Sequence, residues 1–203
     1  MSKMDQMIAV IPAELVDFVG CVSAYRHSEV FDAISIAAEF KRRGDVEEDP
    51  TWLQLIPYTY IYNRRGELFT YRRRPTSGEV RLHGKVSIGV GGHLENDGDF
   101  ATMASRIRAA AYRELQEELK FFPPLSTRDE VFNVFLLRLD NTPVDKVHLG
   151  IAMSLAYSGS VEPNDDEVEV VGWLKPDAIL EQPEVEGWTK SLLLKLAKKG
   201  CNC

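Results

Sequence analysis

Disulfide chemistry has little to work with in this chain: there are three cysteines, Cys21, Cys201 and Cys203. An odd number, two of them in a C-terminal "CNC", offers no disulfide framework and points to a reducing compartment, so the expected address is the cytoplasm. C-x-C alone also lacks the ligands of a metal centre. No run approaches the roughly eighteen apolar residues of a membrane-spanning helix. The opening "MSKMDQMIAVIPAELVDFVG" interrupts its apolar stretch with Pro12, Glu14 and Asp17, which fits a secretion signal poorly. Positive charge is in deficit, with 24 Lys and Arg against 31 Asp and Glu and a formal net charge of −7. Duplex nucleic acid and anionic membrane are therefore not expected partners. A phosphorylated small molecule is not excluded, because bound cations reverse the sign of a site locally.

What is present is ordinary for a globular chain. The 203 residues, 44% hydrophobic and 27% charged, suffice for one domain with a well-buried core. Residues 1–50 read as a helical preface, with Val30, Phe31, Ile34, Ala37 and Ala38 near helical spacing and Gly44 to close the helix. "DVEEDP" follows as an acidic linker. "WLQLIPYTYIYN" and "LFTYRRR" flank the turn "RRGE" as a hairpin, and "KVSIGVGG" is a short strand running into glycines. A long helix is expected from about Phe100 to Lys120, stopped by "FFPP". "EVFNVFLLRLD", "KVHLGIAMSLAYSG" and "VEVVGWL" are further strands, "KPDAIL" a short helix, and "GWTKSLLLKLAKK" a closing amphipathic one. Hairpin, strand, helix, strands and helix in that order predict an α/β or α+β layer fold with helices covering a mixed sheet.

The chemistry concentrates in "GVGGHLENDGDFATMASRIRAAAYRELQEELKFF", residues 89–122. Ala104, Ile107, Ala111 and Leu115 give the helix an apolar stripe, while Glu114, Glu117 and Glu118 share another side. Carboxylates at i, i+3 and i+4 repel by a few tenths of a kcal/mol per pair, roughly. Either this is a solvated face, steadied by Arg113 and Glu117 at i, i+4, or it holds one or two hard divalent cations, which take oxygen ligands and pair with phosphate. The glycines upstream favour the second reading, since they let backbone approach a ligand or metal without a side chain in the way.

"RELQEEL", preceded by "GG", resembles the signature of the Nudix hydrolases, G-x5-E-x7-R-E-U-x-E-E-x-G-U with U apolar. Arg113, Glu114, Leu115, Glu117, Glu118 and Phe121 match its second half in register, and the likeness spans roughly residues 54–182. The first half departs. Counted from Gly92 the pattern places its arginine fourteen residues on, whereas Arg113 lies twenty-one away, so seven residues are extra. Seven is about two helical turns, so a helix extended at its start would keep the acidic face in place. The pattern's first glutamate falls near Gly98 and Asp99, or on Ser105 counted backward. Asp99 is read as a helix cap rather than a ligand. The late glycine is Lys120, which implies a different end to the helix.

The resemblance implies a Nudix-like α/β/α sandwich with a mixed central sheet. Residues 51–203 would form the Nudix hydrolase domain with its C-terminal helix, and residues 1–50 an N-terminal helical extension packing on the core. It implies a hydrolase using Mg2+ or Mn2+ to cleave a nucleoside diphosphate linked to another group, by water attack on phosphorus. Cations neutralise the polyanion and lower the pKa of water. Glu114, Glu117 and Glu118 match the metal ligands, Arg113 the arginine that orients them, and the carbonyl of Gly91 or Gly92 a backbone ligand. Glu167, six residues before Trp173, is the choice for a further ligand or general base, with Glu169 and Asp166 in reserve. For substrate phosphate the candidates are Arg72 and Arg74, which share a face of the strand, then Arg81 and Lys85. His93 is a base, a substrate contact or a structural residue; His148 reads as core. The alternative is a ligand-sensing module that kept the fold without catalysis. The preface would complete a dimer, cover the site or pack on the sheet.

Overall fold

The computed structural model describes residues 2–75, 83–126, 129–164 and 168–198. In chain order, β1 (Met7–Pro12) and β2 (Gly20–Ser23) precede α1 (Ser28–Ala37), β3 (Glu39–Arg42) and the short α2 (Arg43–Val46). Then come β4 (Trp52–Tyr62), β5 (Leu68–Arg73), β6 (Val86–Ser87) and β7 (Gly89–Gly91). The long helix α3 (Met103–Glu118) runs directly into β8 (Leu119–Phe122). β9 (Val131–Arg138), β10 (His148–Ala156), β11 (Ser160–Pro163) and β12 (Val168–Leu174) follow, and α4 (Pro176–Leu180) and α5 (Gly187–Lys198) end the described chain.

The main sheet is ordered β12-β5-β4-β10-β9-β2, with β1 paired to β4 and β3, β6 to β5 and β7 to β4; β8 and β11 form a separate pair. The class is α/β, a central mixed sheet flanked by helices, as the element order predicts. Among the described residues no helix is long and apolar enough to cross a membrane. In β4 every residue from Leu53 to Ile61 is buried, so its aromatic and aliphatic run has no polar alternation to show. The hairpin turns where expected. The Asn63 carbonyl accepts from Gly66 N–H at 2.9 Å, and its side-chain Oδ1 accepts from the N–H groups of Arg65 and Glu67 at 2.9 and 3.1 Å. Gly66 sits at φ +67°, a conformation that favours glycine.

The first fifty residues differ from their helical reading. α1 accounts for ten of them, but three strands lie there too. "MIAVIP" is a continuous apolar run, and periodicity alone does not separate a buried strand from a buried helix. Here Met7–Val10 pair with Arg42–Glu39, and Val10–Pro12 pair with Gln54–Trp52, both antiparallel.

Packing divides the chain into two compact units. The first holds Met1–Tyr58, Gly91–Tyr112 and Asn133–Ala152, and the second holds Thr59–Val90, Arg113–Phe132 and Met153–Cys203. In the first, Ile8, Val10, Ile11, Leu53 and Leu94 are fully buried; in the second, Phe69, Tyr71, Ile88 and Leu193 are.

Candidate functional site

In the first unit the glycine turn leads into the enlarged loop. A Cβ on Gly91 would stand 2.8 Å from the carbonyl oxygen of Pro57, so this glycine is demanded by the close approach of β4 backbone. After Gly92, His93 is half-buried. Gln54, fully buried, donates its amide to the Val46 carbonyl at 3.3 Å. Its Oε1 therefore accepts from His93 Nε2, 2.7 Å away. The His93 ring also meets His148 edge-on at 5.5 Å, and His148 Nδ1 lies 2.7 Å from the Val144 carbonyl.

The extra residues extend this loop, not the helix. Ala9 N–H donates to the Leu94 carbonyl at 2.7 Å and Asn96 N–H to the Met7 carbonyl at 3.0 Å, which fastens the loop to β1. Arg106 Nη1 donates to the Glu95 carbonyl at 3.1 Å and Nη2 to the Gly98 carbonyl at 2.8 Å. Its guanidinium lies over the rings of Phe40 and Phe100, at 5.0 and 4.8 Å. "NDGD" favours turns, and Gly98 adopts φ +141°, so two added helical turns do not form. Asp99 is exposed and is not the cap. Ser105 N–H donates to Thr102 Oγ1 at 3.1 Å while Thr102 N–H donates to Ser105 Oγ at 3.2 Å, a reciprocal capping box.

Replacing Arg106 by Ala removes two charged donors from loop carbonyls and both ring contacts. The expected loss is about 2–4 kcal/mol, seen as a lowered Tm. Arg106→Lys recovers little of it, since an ammonium does not reproduce the planar fork.

The second unit holds the acidic end of α3. Its last turn contains no basic residue, so Glu114, Glu117 and Glu118 add to the negative pole of the helix as well as repelling one another. Guanidinium groups compensate. Arg113 Nη2 lies 2.8 Å from Glu114 Oε1, and its Nε 3.8 Å from Glu117 Oε1. Arg73 Nη2, reaching from the end of β5, lies 3.3 and 3.4 Å from the two oxygens of Glu118. The Glu114 and Glu118 side chains are 13% and 24% exposed, Glu117 61%. Among the described residues no three His, Cys, Asp or Glu side chains converge closely enough to hold an ion. The donors nonetheless suit a hard cation, being carboxylate oxygens one turn apart on one helix side.

With Lys120 in place of a glycine, the helix ends differently. Asn164 Nδ2 donates to the Glu117 carbonyl at 3.0 Å and the Gln116 carbonyl at 3.4 Å, and its N–H to the Glu118 carbonyl at 2.8 Å. Lys120 is free to continue as a strand residue opposite Glu162. Asn164→Ala removes the side-chain cap, at an expected cost of about 1 kcal/mol in chemical denaturation.

Of the arginine run, it is Arg73, not one of the candidates Arg72 and Arg74, that reaches the acidic end of α3. Tyr71, two positions earlier, is fully buried and donates its hydroxyl to the Gly89 carbonyl at 2.7 Å, while Arg73 Nη2 donates to that hydroxyl at 3.3 Å. Burial pushes the Tyr71 phenol well above its usual 10, keeping it a neutral donor. The available signal was strand alternation, which places Arg73 on the side of the buried Tyr71. Arg72 instead donates to the Gly84 carbonyl at 2.6 Å and faces Glu169 across the β5–β12 ladder. Arg74 is exposed beyond the strand. Glu169 is exposed, and Arg81, Asp166 and Glu167 lie outside the described residues. Near Tyr71, the Glu186 carboxylate accepts from Ser87 Oγ at 2.7 Å and Thr189 Oγ1 at 3.0 Å.

This fold, with a glycine turn ahead of an arginine-braced acidic helix, agrees with what known proteins show. The NUDIX domain family model matches residues 54–196. Protein YmaB of Bacillus subtilis (strain 168) is 35% identical over 202 residues, covering 94% of this chain and 97% of YmaB. The crystal structure of Tm1382 superposes with a TM-score of 0.76 at 24% identity, over 96% of this chain and 100% of that one. The Nudix domain of Shewanella oneidensis NrtR, complexed with ADP ribose, shares the fold at a TM-score of 0.52 and 11% identity, over 72% of this chain and 88% of that one. The chain belongs to the Nudix family.

Proposed function

We propose that the chain cleaves the diphosphate bond of a nucleoside diphosphate joined to a second group, with Mg2+ or Mn2+ and by water attack on phosphorus. The observation that carries this reading is the end of α3, where Glu114, Glu117 and Glu118 share one side of the helix and the guanidinium groups of Arg113 and Arg73 are set against them. All three donors are hard oxygens, which suits these ions over thiophilic ones. Such an ion, when bound, neutralises phosphate oxygens and activates water near neutral pH. The chain's own part is to hold the carboxylates in place. Arg113 orients Glu114 and Glu117, Arg73 holds Glu118, and Asn164 fixes the last carbonyls. Gly92 is assigned as the backbone ligand on the strength of the family pattern. For substrate phosphate the assignment is Arg74, exposed at the strand end, because Arg72 and His93 are engaged by Gly84 and Gln54. The odd cysteine count supports a cytoplasmic setting.

The test is a panel of nucleoside diphosphate derivatives with Mg2+ or Mn2+, with products identified. ADP-ribose belongs first on it, since it is bound by the NrtR domain that shares this fold. Release of a nucleoside monophosphate and a phosphorylated second product is expected. The lengthened first half of the signature favours one rival, a ligand sensor. Thermal stabilisation by ADP-ribose with no turnover under either ion would replace the hydrolase reading with that one.

A further inference from the structure

Arg73 is held in an unusual way. Its contact with Glu118 is made by Nη2 alone, at 3.3 and 3.4 Å, long for a charge-assisted bond and lacking the two-nitrogen fork that gives such pairs their strength. Its Nε is buried and, among the described residues, has no hydrogen-bond partner. The side chain is only 13% exposed, so little water reaches its charge. Besides Glu118, the Glu186 carboxylate acts electrostatically on the guanidinium, which leaves a second carboxylate within range should Glu118 be withdrawn. Ser87 and Thr189 hold that second carboxylate in position.

We propose that Arg73 is the internal counter-ion of the acidic helix in the metal-free protein, and the competitor a divalent cation displaces at Glu118, so that this side chain sets the site's affinity for divalent ions. The inference rests on reading Glu118 as a metal ligand. A fixed guanidinium weakens cation uptake twice, by occupying the carboxylate and by repelling the incoming charge. In exchange it restrains carboxylates that would otherwise strain the last turn of α3. The poor geometry of the pair makes it easy to displace.

The experiment is titration of the full chain with Mn2+, counting free ion by electron paramagnetic resonance, alongside thermal melts with and without Mn2+. Arg73→Met is expected to bind Mn2+ about tenfold more tightly than the unaltered chain. Its metal-free Tm falls, and saturating Mn2+ closes most of that gap. Affinity equal to or weaker than that of the unaltered chain overturns the proposal. If Arg73→Met does not fold, Arg73→Lys decides. A point charge without the second nitrogen holds Glu118 less well, so binding about twofold to threefold tighter is expected, and unchanged or weaker binding is the contrary result. Glu118→Gln separates the two claims. If it binds Mn2+ as the unaltered chain does, or if the unaltered chain takes up none, the ligand assignment fails and this inference with it. If Glu118→Gln loses binding while Arg73→Met gains none, only the role of Arg73 is wrong.

Discussion

Glu118→Gln is expected to lower kcat/KM by about a thousandfold or more, roughly 4 kcal/mol of transition-state stabilisation. The amide keeps the shape and one acceptor oxygen, so Arg73 Nη2 still has a partner, but the negative charge that would hold a divalent ion is gone. Glu114→Gln should act in the same direction, through a side chain that is 13% exposed and braced by Arg113. Stability should move the other way or hardly at all. Three carboxylates at the negative pole of a helix repel one another, and removing one charge relieves part of that repulsion. Steady-state kinetics on whichever compound the panel identifies, with a denaturation curve of the same sample, measures both. A variant that turns over normally would show that Glu118 is no part of the chemistry.

The second large effect concerns the other end of the chain. A protein starting at residue 51 is expected not to fold. In residues 1–50, Ile8, Val10, Ile11, Val16, Val30, Ile34 and Val46 are at most 2% exposed. Burying each such side chain contributes about 1.5–3 kcal/mol, so together they rival the 5–15 kcal/mol, roughly, by which a domain exceeds its unfolded state. Removing them also strips β1 from β4, leaving Trp52–Gln54 as an open edge that invites association. The readouts are soluble yield, circular dichroism and the cooperativity of the melt. A soluble monomer that melts in one sharp transition near the temperature of the full chain would mean that the segment is an accessory.

Much of this was readable in advance, for physical reasons that differ from element to element. The hairpin declares itself because β4 and β5 are rich in β-branched and aromatic residues around the turn "RRGE", whose glycine is Gly66. The long helix shows through the spacing of Ile107, Ala111 and Leu115, all buried. The acidic side of that helix is a matter of counting, since i, i+3 and i+4 share a side whatever the surroundings. Other features rest on tertiary partners. "MIAVIP" becomes a strand only because Glu39–Arg42 and Trp52–Gln54 lie on either side of it. Leu119 and Lys120 fall inside the helix that the sequence predicts, yet Asn164, far along the chain, ends it at Glu118 and β11 takes up the next four residues. The arginine run was ambiguous for a related reason. Alternation separates Arg73 from its neighbours, but that Glu118 would be waiting on the side of Tyr71 is a fact of the fold.

The Phe40–Arg106–Phe100 stack has a consequence for what the loop tolerates. Both rings flank one guanidinium, Phe40 from β3 and Phe100 from the loop itself, and that guanidinium carries the Glu95 and Gly98 carbonyls. A change at Phe40, sixty-six positions upstream of the arginine, is therefore expected to be felt at residues 95–98.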